Sequence, residues 1–179
     1  SSCADADSGY YVGQTGQSNQ TLCSIGTYQP YSSQSSCNDA DAGYYVDQIG
    51  QTSQIACPVG TYQSENGQAS CSNAELGYYV EQTSQSSQTP CPVGAYQTEM
   101  GQTSCDNADP GYYVDSLLGV GQSSQNSCPI GTYNPYIGST SPSGCFEAGI
   151  GYFVNETGQS SQIPCAIGTY QALTGQTNC

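Results

Sequence analysis

Cysteine is the one reactive side chain that this sequence supplies in quantity. Eleven cysteines stand at positions 3, 23, 37, 57, 71, 91, 105, 128, 145, 165 and 179. Carboxylates are the second chemical resource, with 14 Asp plus Glu and no Lys, Arg or His. Paired carboxylates could do acid–base work, and Asp5-Ala6-Asp7 and Asp39-Ala40-Asp41 offer such pairs. They recur along the chain instead of converging once, and Gly149 stands at that phase near the C-terminus. Without His or Lys, and with the cysteines committed to bridges, no catalytic constellation can be assembled, and we read the chain as not an enzyme. Calcium takes six to eight oxygen ligands, so Asp5, Asp7, Asp39 and Asp41 are the residues that would hold it. That acidic set is short of a full shell, and a solvated acidic turn is the alternative. No other cofactor is implied.

The charge balance excludes classes of partner. A net charge of −14 with no cation cannot neutralise phosphates, which excludes nucleic acid and adhesion to anionic membranes. No apolar run approaches the ~20 residues of a membrane span, so no membrane insertion is expected within the segment. With no Lys or Arg, trypsin should leave residues 1–179 uncut even after reduction. Mass spectrometry of the digest checks this, and internal tryptic peptides would contradict it.

The elements that carry the cysteines repeat. Intervals of 20 and 14 residues alternate, giving a 34-residue period with two three-residue insertions in the fourth unit. The units are 3–37, 37–71, 71–105, 105–145 and 145–179. Each holds a Gly-Tyr-Tyr-Val run or a variant of it, from Gly9–Val12 to Gly151–Val154. Then come a Gln-spaced stretch, a Cys-Pro-x-Gly-Thr-Tyr motif such as Cys57–Tyr62, and a Gly-Gln-x-Ser-Cys close such as Gly67–Cys71. The Tyr-Tyr-Val and Thr-Tyr-Gln runs read as short strands between Gly, Pro and Ser turns. No 3.6-residue apolar period is present, so almost no helix is expected.

A 34-residue unit cannot fold on a hydrophobic core alone. Disulfides and stacking on neighbours must supply the rest. The expected fold is therefore an all-β or irregular set of small disulfide-rich tandem repeats, forming an elongated, rod-like solenoid of five units. Disulfides at this density imply an oxidising, extracellular compartment. No signal peptide is present, both ends fall at one phase of the repeat, and one cysteine is odd. The 179 residues thus read as a mature chain or a segment of something longer.

Either cysteine interval could close. Loop entropy separates the two pairings by only a few tenths of a kcal/mol. One leaves Cys3 over, the other Cys179. The Cys-Pro-x-Gly-Thr-Tyr and Gly-Gln-x-Ser-Cys motifs resemble those of ephrin-receptor-like cysteine-rich repeats, and are similar to the first half of tumour-necrosis-factor-receptor modules. The resemblance covers all five units. It implies the pairs Cys23–Cys37, Cys57–Cys71, Cys91–Cys105, Cys128–Cys145 and Cys165–Cys179, with Cys3 unpaired or bridging to another unit. Such repeats occur in receptor ectodomains, protist surface proteins and flagellar-hair proteins. The family carries a second cysteine pair where this chain has Ala6, Ala40, Ala74, Ala108 and Ala148, and Val12, Val46, Val80, Val114 and Val154. One disulfide per repeat is therefore missing, and an Ala–Val contact is expected in its place.

Further candidates lie on the surface. Asn19-Gln20-Thr21 and Asn155-Glu156-Thr157 are glycosylation sequons. One Tyr of each Gly-Tyr-Tyr pair should face outward, since strand neighbours alternate. Tyr28, Tyr62, Tyr96, Tyr133 and Tyr170 should pack on the disulfides. Leu117 and Leu118 in the first insertion, and Tyr136 and Ile137 in the region lengthened by the second, suggest a contact patch. The function these features suggest is a glycosylated structural filament or surface coat, self-assembled head to tail and laterally. The alternative is the stalk or ectodomain of a receptor, adhesin or surface antigen.

Overall fold

The computed structural model describes residues 3–179. Each rung of the fold starts from a glycine. In Asp7–Tyr10 the Tyr10 N–H donates to the Asp7 carbonyl (3.1 Å), and in Ser24–Thr27 the Thr27 N–H donates to Ser24 (3.0 Å). The third residues of these turns, Gly9 and Gly26, have φ of 80° and 83°, where glycine alone carries no steric penalty. The turn launches a two-residue strand, and the chain comes back to pair with it. Strand β1 (Tyr10–Tyr11) pairs antiparallel with β2 (Thr21–Leu22), and β3 (Thr27–Tyr28) with β4 (Asn38–Asp39). The same hairpin recurs along the chain, nine times among the described residues. The described helical content is two single 3₁₀ turns, Ser116–Leu118 and Pro142–Gly144. The fold is almost wholly short antiparallel hairpins stapled by disulfides.

The structural repeat is shorter than the cysteine period. Turn glycines stand at 9, 26, 43, 60, 77, 94, 111, 131, 151 and 168. Each follows the last by 17 residues, except after 111 and 131, where the interval is 20. Every 34-residue unit is therefore two rungs, and each rung of the fourth unit takes one three-residue insertion. Successive rungs are joined by backbone bonds. The Gly9 N–H donates to the Gln29 carbonyl, Gly26 to Val46, Gly43 to Gln63 and Gly60 to Val80, each at 2.8 Å. Gly111 to Asn134 (2.7 Å), Gly131 to Val154 (2.9 Å) and Gly151 to Gln171 (2.8 Å) continue the series.

The core is made of small groups. Ala6, Cys23, Ala40, Cys57, Ala74, Cys91, Ala108, Cys128 and Ala148 are buried at one phase, and Val46, Val80, Val114 and Val154 at another. At the valine phase of the alternate rungs sits a polar side chain, buried at Gln29, Gln97 and Asn134. Its hydrogen bonds are met, as burial demands, within its own loop at Gln29 and Gln97 and partly across to Tyr112 at Asn134. The Gln29 amide donates to the Ser36 carbonyl (2.8 Å) and accepts from the Tyr31 N–H (3.1 Å).

Contacts divide the chain into two compact units. One comprises Ser1–Glu75, Val80–Gln88 and Gly101–Thr103, and the other Leu76–Tyr79, Thr89–Met100 and Ser104–Cys179. Both are built from the same rungs.

In the first four units outward alternation of the paired tyrosines does not occur. Tyr10 and Tyr11, Tyr44 and Tyr45, Tyr78 and Tyr79, and Tyr112 and Tyr113 are all half-buried. In the fifth unit Tyr152 is exposed and Phe153 half-buried.

Candidate functional site

The disulfides join Cys23–Cys37, Cys57–Cys71, Cys91–Cys105, Cys128–Cys145 and Cys165–Cys179, with Cα separations of 5.6–5.8 Å, within the range a disulfide spans. Cys3 is exposed and free. These are the 14-residue pairs, lengthened to 17 at Cys128–Cys145. Each bridge closes a Gly-Thr-Tyr rung or its Gly-Ala-Tyr variant.

The Gly-Tyr-Tyr rungs are closed by a different device. Seventeen residues before Cys23 and Cys37 stand Ala6 and Gln20. The Gln20 Oε1 accepts the Asp7 backbone N–H at 2.7 Å, and its Nε2 donates to the Asp7 carboxylate at 2.7 Å. Gln54 holds Asp41 in the same way (2.7 and 2.7 Å). Gln88 holds Glu75 (2.7 and 3.0 Å), and Gln125 holds Asp109 (2.7 and 2.7 Å). In the fifth unit, where Gly149 replaces the acid, Gln162 keeps only the backbone bond (2.6 Å). A two-point amide clip thus occupies the phase of the disulfide. The bridge-free rung is held by this clip; Ala40 and Val46, the residues at the positions of the missing bridge, are both fully buried.

The clip also accounts for the acidic phase. Asp7 and Asp41 are each taken by a glutamine, and Asp39 lies beside the Gly67 turn. Asp5 is exposed. Among the described residues no three Asp, Glu, Cys or His side chains cluster as metal ligands would. The Tyr96 hydroxyl has its pKa raised by burial, then by the carboxylates of Asp109 and Asp106.

Both sequon asparagines, Asn19 and Asn155, are exposed. Tyr28, Tyr62, Tyr96 and Tyr133 are half-buried, whereas Tyr170 is 82% exposed.

The two insertions of the fourth unit meet. The Ser116 N–H donates to the Thr140 carbonyl (2.8 Å), and the Val114 N–H to that of Ser139 (2.9 Å). The Asp115 carboxylate caps the 3₁₀ turn by accepting the Leu117 N–H (2.9 Å). Leu117 and Leu118 project into solvent, 89% and 65% exposed, as do Tyr136 and Ile137 at 63% and 67%. Phe146 joins this surface, its ring edge-on to Tyr136 at 6.1 Å, and Val120 is also exposed. No motif of the repeat marks Phe146 or Val120, although both border the inserted residues. No protein-family model matches the chain, and no curated protein does. Among the described residues no helix is long and apolar enough to cross a membrane.

Proposed function

We propose that this chain is a structural extracellular protein: a subunit or segment of a glycosylated filament or surface coat, of the flagellar-hair kind. In this reading the rungs continue head to tail as an elongated solenoid, and the cysteine-rich repeats belong to the ephrin-receptor-like class. The observation that carries it is the recurrence of one rung joint, a turn-glycine N–H on the carbonyl of the next rung, through both compact units. A protein built to recognise one ligand needs a place where the pattern breaks in favour of that ligand. A protein built to extend needs the joint repeated, and stacked repeats provide this. The disulfides suit an oxidising compartment, and Asn19 and Asn155 are accessible to glycosylation. Negative-stain images of native material should show long fibres. Dispersed short particles would overturn the reading.

A second reading has one observation in its favour. The surface of Leu117, Leu118, Tyr136 and Ile137 is the irregular feature of an otherwise regular series, as the contact face of a receptor stalk or adhesin would be. Exchanging both leucines for Ser would abolish ligand or cell binding under that reading and leave fibre length unchanged under the first.

A further inference from the structure

The irregular surface of the fourth unit lies within one compact unit and is held on a fixed frame. The Asn134 side chain is fully buried. Its amide nitrogen donates to the Tyr112 carbonyl (2.9 Å) and to the Ser139 hydroxyl (2.7 Å), and its oxygen accepts the Tyr136 N–H (3.1 Å). The Gly138 N–H donates to the Ala108 carbonyl (2.7 Å). The loop that carries Tyr136 and Ile137 is thereby anchored on both sides of them. Leu117 and Leu118 stand on a turn capped by Asp115 and joined through Ser116 to Thr140. An apolar side chain held in water by an ordered turn stabilises nothing inside its own chain. Taking that area out of water needs a partner.

Residue types break the repeat here as well. Both aromatic ring pairs found among the described residues involve Phe146, with Tyr133 and Tyr136 each at a centroid distance of 6.1 Å. The position of Phe146 in the repeat is held elsewhere by Ala4, Asn38, Ser72 and Asp106. Tyr31, at the phase of Tyr136, has Asn38 where Tyr136 has a second ring.

Charge selects the partner. The Asp115 carboxylate sits on the Leu117 N–H. Glu147 follows Phe146 and is exposed, its carboxylate accepting from the Thr174 hydroxyl (2.8 Å). Asp106 and Asp109, also exposed, flank the Ala108 carbonyl that receives Gly138. The chain has no Lys, Arg or His to balance any of them. A second copy would bring the same carboxylates and again no cation, a juxtaposition that like charges oppose. Exposed aromatic rings attract ammonium and guanidinium groups, and here those groups must come from a different protein.

We propose that this surface docks a basic amphipathic segment of another protein. Apolar side chains of that segment cover Leu117, Leu118 and Ile137. Its Arg or Lys side chains lie against the rings of Tyr136 and Phe146 and pair with the carboxylates of Asp115 and Glu147. The docking site goes beyond the filament reading and does not depend on it, because a filament and a receptor stalk could both carry a bound partner here.

A synthetic peptide of Leu and Arg, patterned as an amphipathic helix and followed by fluorescence anisotropy, is the probe. A chain of charge −14 attracts any cationic peptide, so the decisive variants keep that charge. Leu117 and Leu118 bury nothing within the chain, and Ser is the residue that the repeat itself uses at Ser72 in place of Phe146. The Leu117→Ser, Leu118→Ser double variant and the Phe146→Ser variant should therefore keep all five disulfides by peptide mapping. Each should bind the peptide at least about tenfold more weakly than the wild type. Equal binding would mean that overall charge alone attracts the peptide, and would overturn the site. The Asp115→Asn, Glu147→Gln pair keeps both hydrogen-bond acceptors and removes two charges. It should lose about threefold more affinity than Glu65→Gln, Glu81→Gln, which removes two charges elsewhere. Equal losses would overturn the cationic partner. Sedimentation equilibrium covers the remaining occupant: self-association of the wild type that the double leucine variant abolishes would assign the surface to a second copy and overturn the proposal. Fibre images of the same variants should be unchanged, so failure of the docking site and failure of the filament reading are told apart.

Discussion

Alanine at Gly77 is expected to lower the unfolding free energy by about 2–5 kcal/mol, whereas alanine at Gly67 lowers it by only about 1–2 kcal/mol. The two glycines share the left-handed backbone conformation, with φ of 80° at Gly77 and 72° at Gly67. Both substitutions therefore meet the same backbone penalty for a Cβ in the left-handed region. The environments differ. A Cβ on Gly77 would overlap the Gly121 carbonyl oxygen, a backbone atom that cannot swing away, while one on Gly67 meets only the Asp39 side chain at an ordinary 3.6 Å. Guanidinium denaturation at concentrations where the chain is monomeric would resolve the two, provided that the m-values agree. Equal losses would mean that turn strain alone governs these sites, and that the close approach of stacked rungs contributes nothing.

That close approach also explains what the sequence disclosed and what it hid. Hairpins were legible because Tyr-Tyr-Val and Thr-Tyr-Gln are β-prone runs between turn residues. The absence of helical periodicity kept helix out, and the insertions were visible as breaks in the cysteine spacing. The 17-residue rung was not legible from cysteine, because alternate rungs close with unrelated chemistry. Cys23 and Ala6 share one buried phase, and Cys37 and Gln20 another, so a count by residue type sees every second rung. The signal was present in the glycines: Gly9-Tyr10-Tyr11 and Gly26-Thr27-Tyr28 are one turn-strand module read twice. The buried glutamines escaped for a related reason. Gln29 occupies the phase of valine while looking like a surface residue, and its burial is tolerated only because the loop it anchors supplies both of its bonds. At the candidate surface, Leu117 and Tyr136 could be picked out one by one. Their common placement follows from the Ser116–Thr140 backbone bond, which no local pattern announces.

If clip and disulfide are interchangeable locks on one rung, their removal should differ in size and their exchange should succeed. Replacing Cys57 and Cys71 together by Ala opens a loop of sequence separation 14 and should cost about 3 kcal/mol in the chain-entropy model. Removing the neighbouring clip with Gln54→Ala should cost about 1 kcal/mol, the net worth of solvent-exposed hydrogen bonds. The gap arises because the bridge restricts the unfolded chain, whereas the amide acts only once the rung is folded. The exchange is the sharper test. Ala40 and Gln54 have the same 14-residue separation as Cys57 and Cys71, each displaced by 17. The Ala40→Cys, Gln54→Cys double variant should therefore form a sixth disulfide and gain about 2 kcal/mol, the entropy term less the lost clip. Peptide mapping would identify the bond, and the denaturation midpoint before and after reduction would size it. Two free thiols at those positions would show that the rungs share a hairpin but not the geometry of their closure.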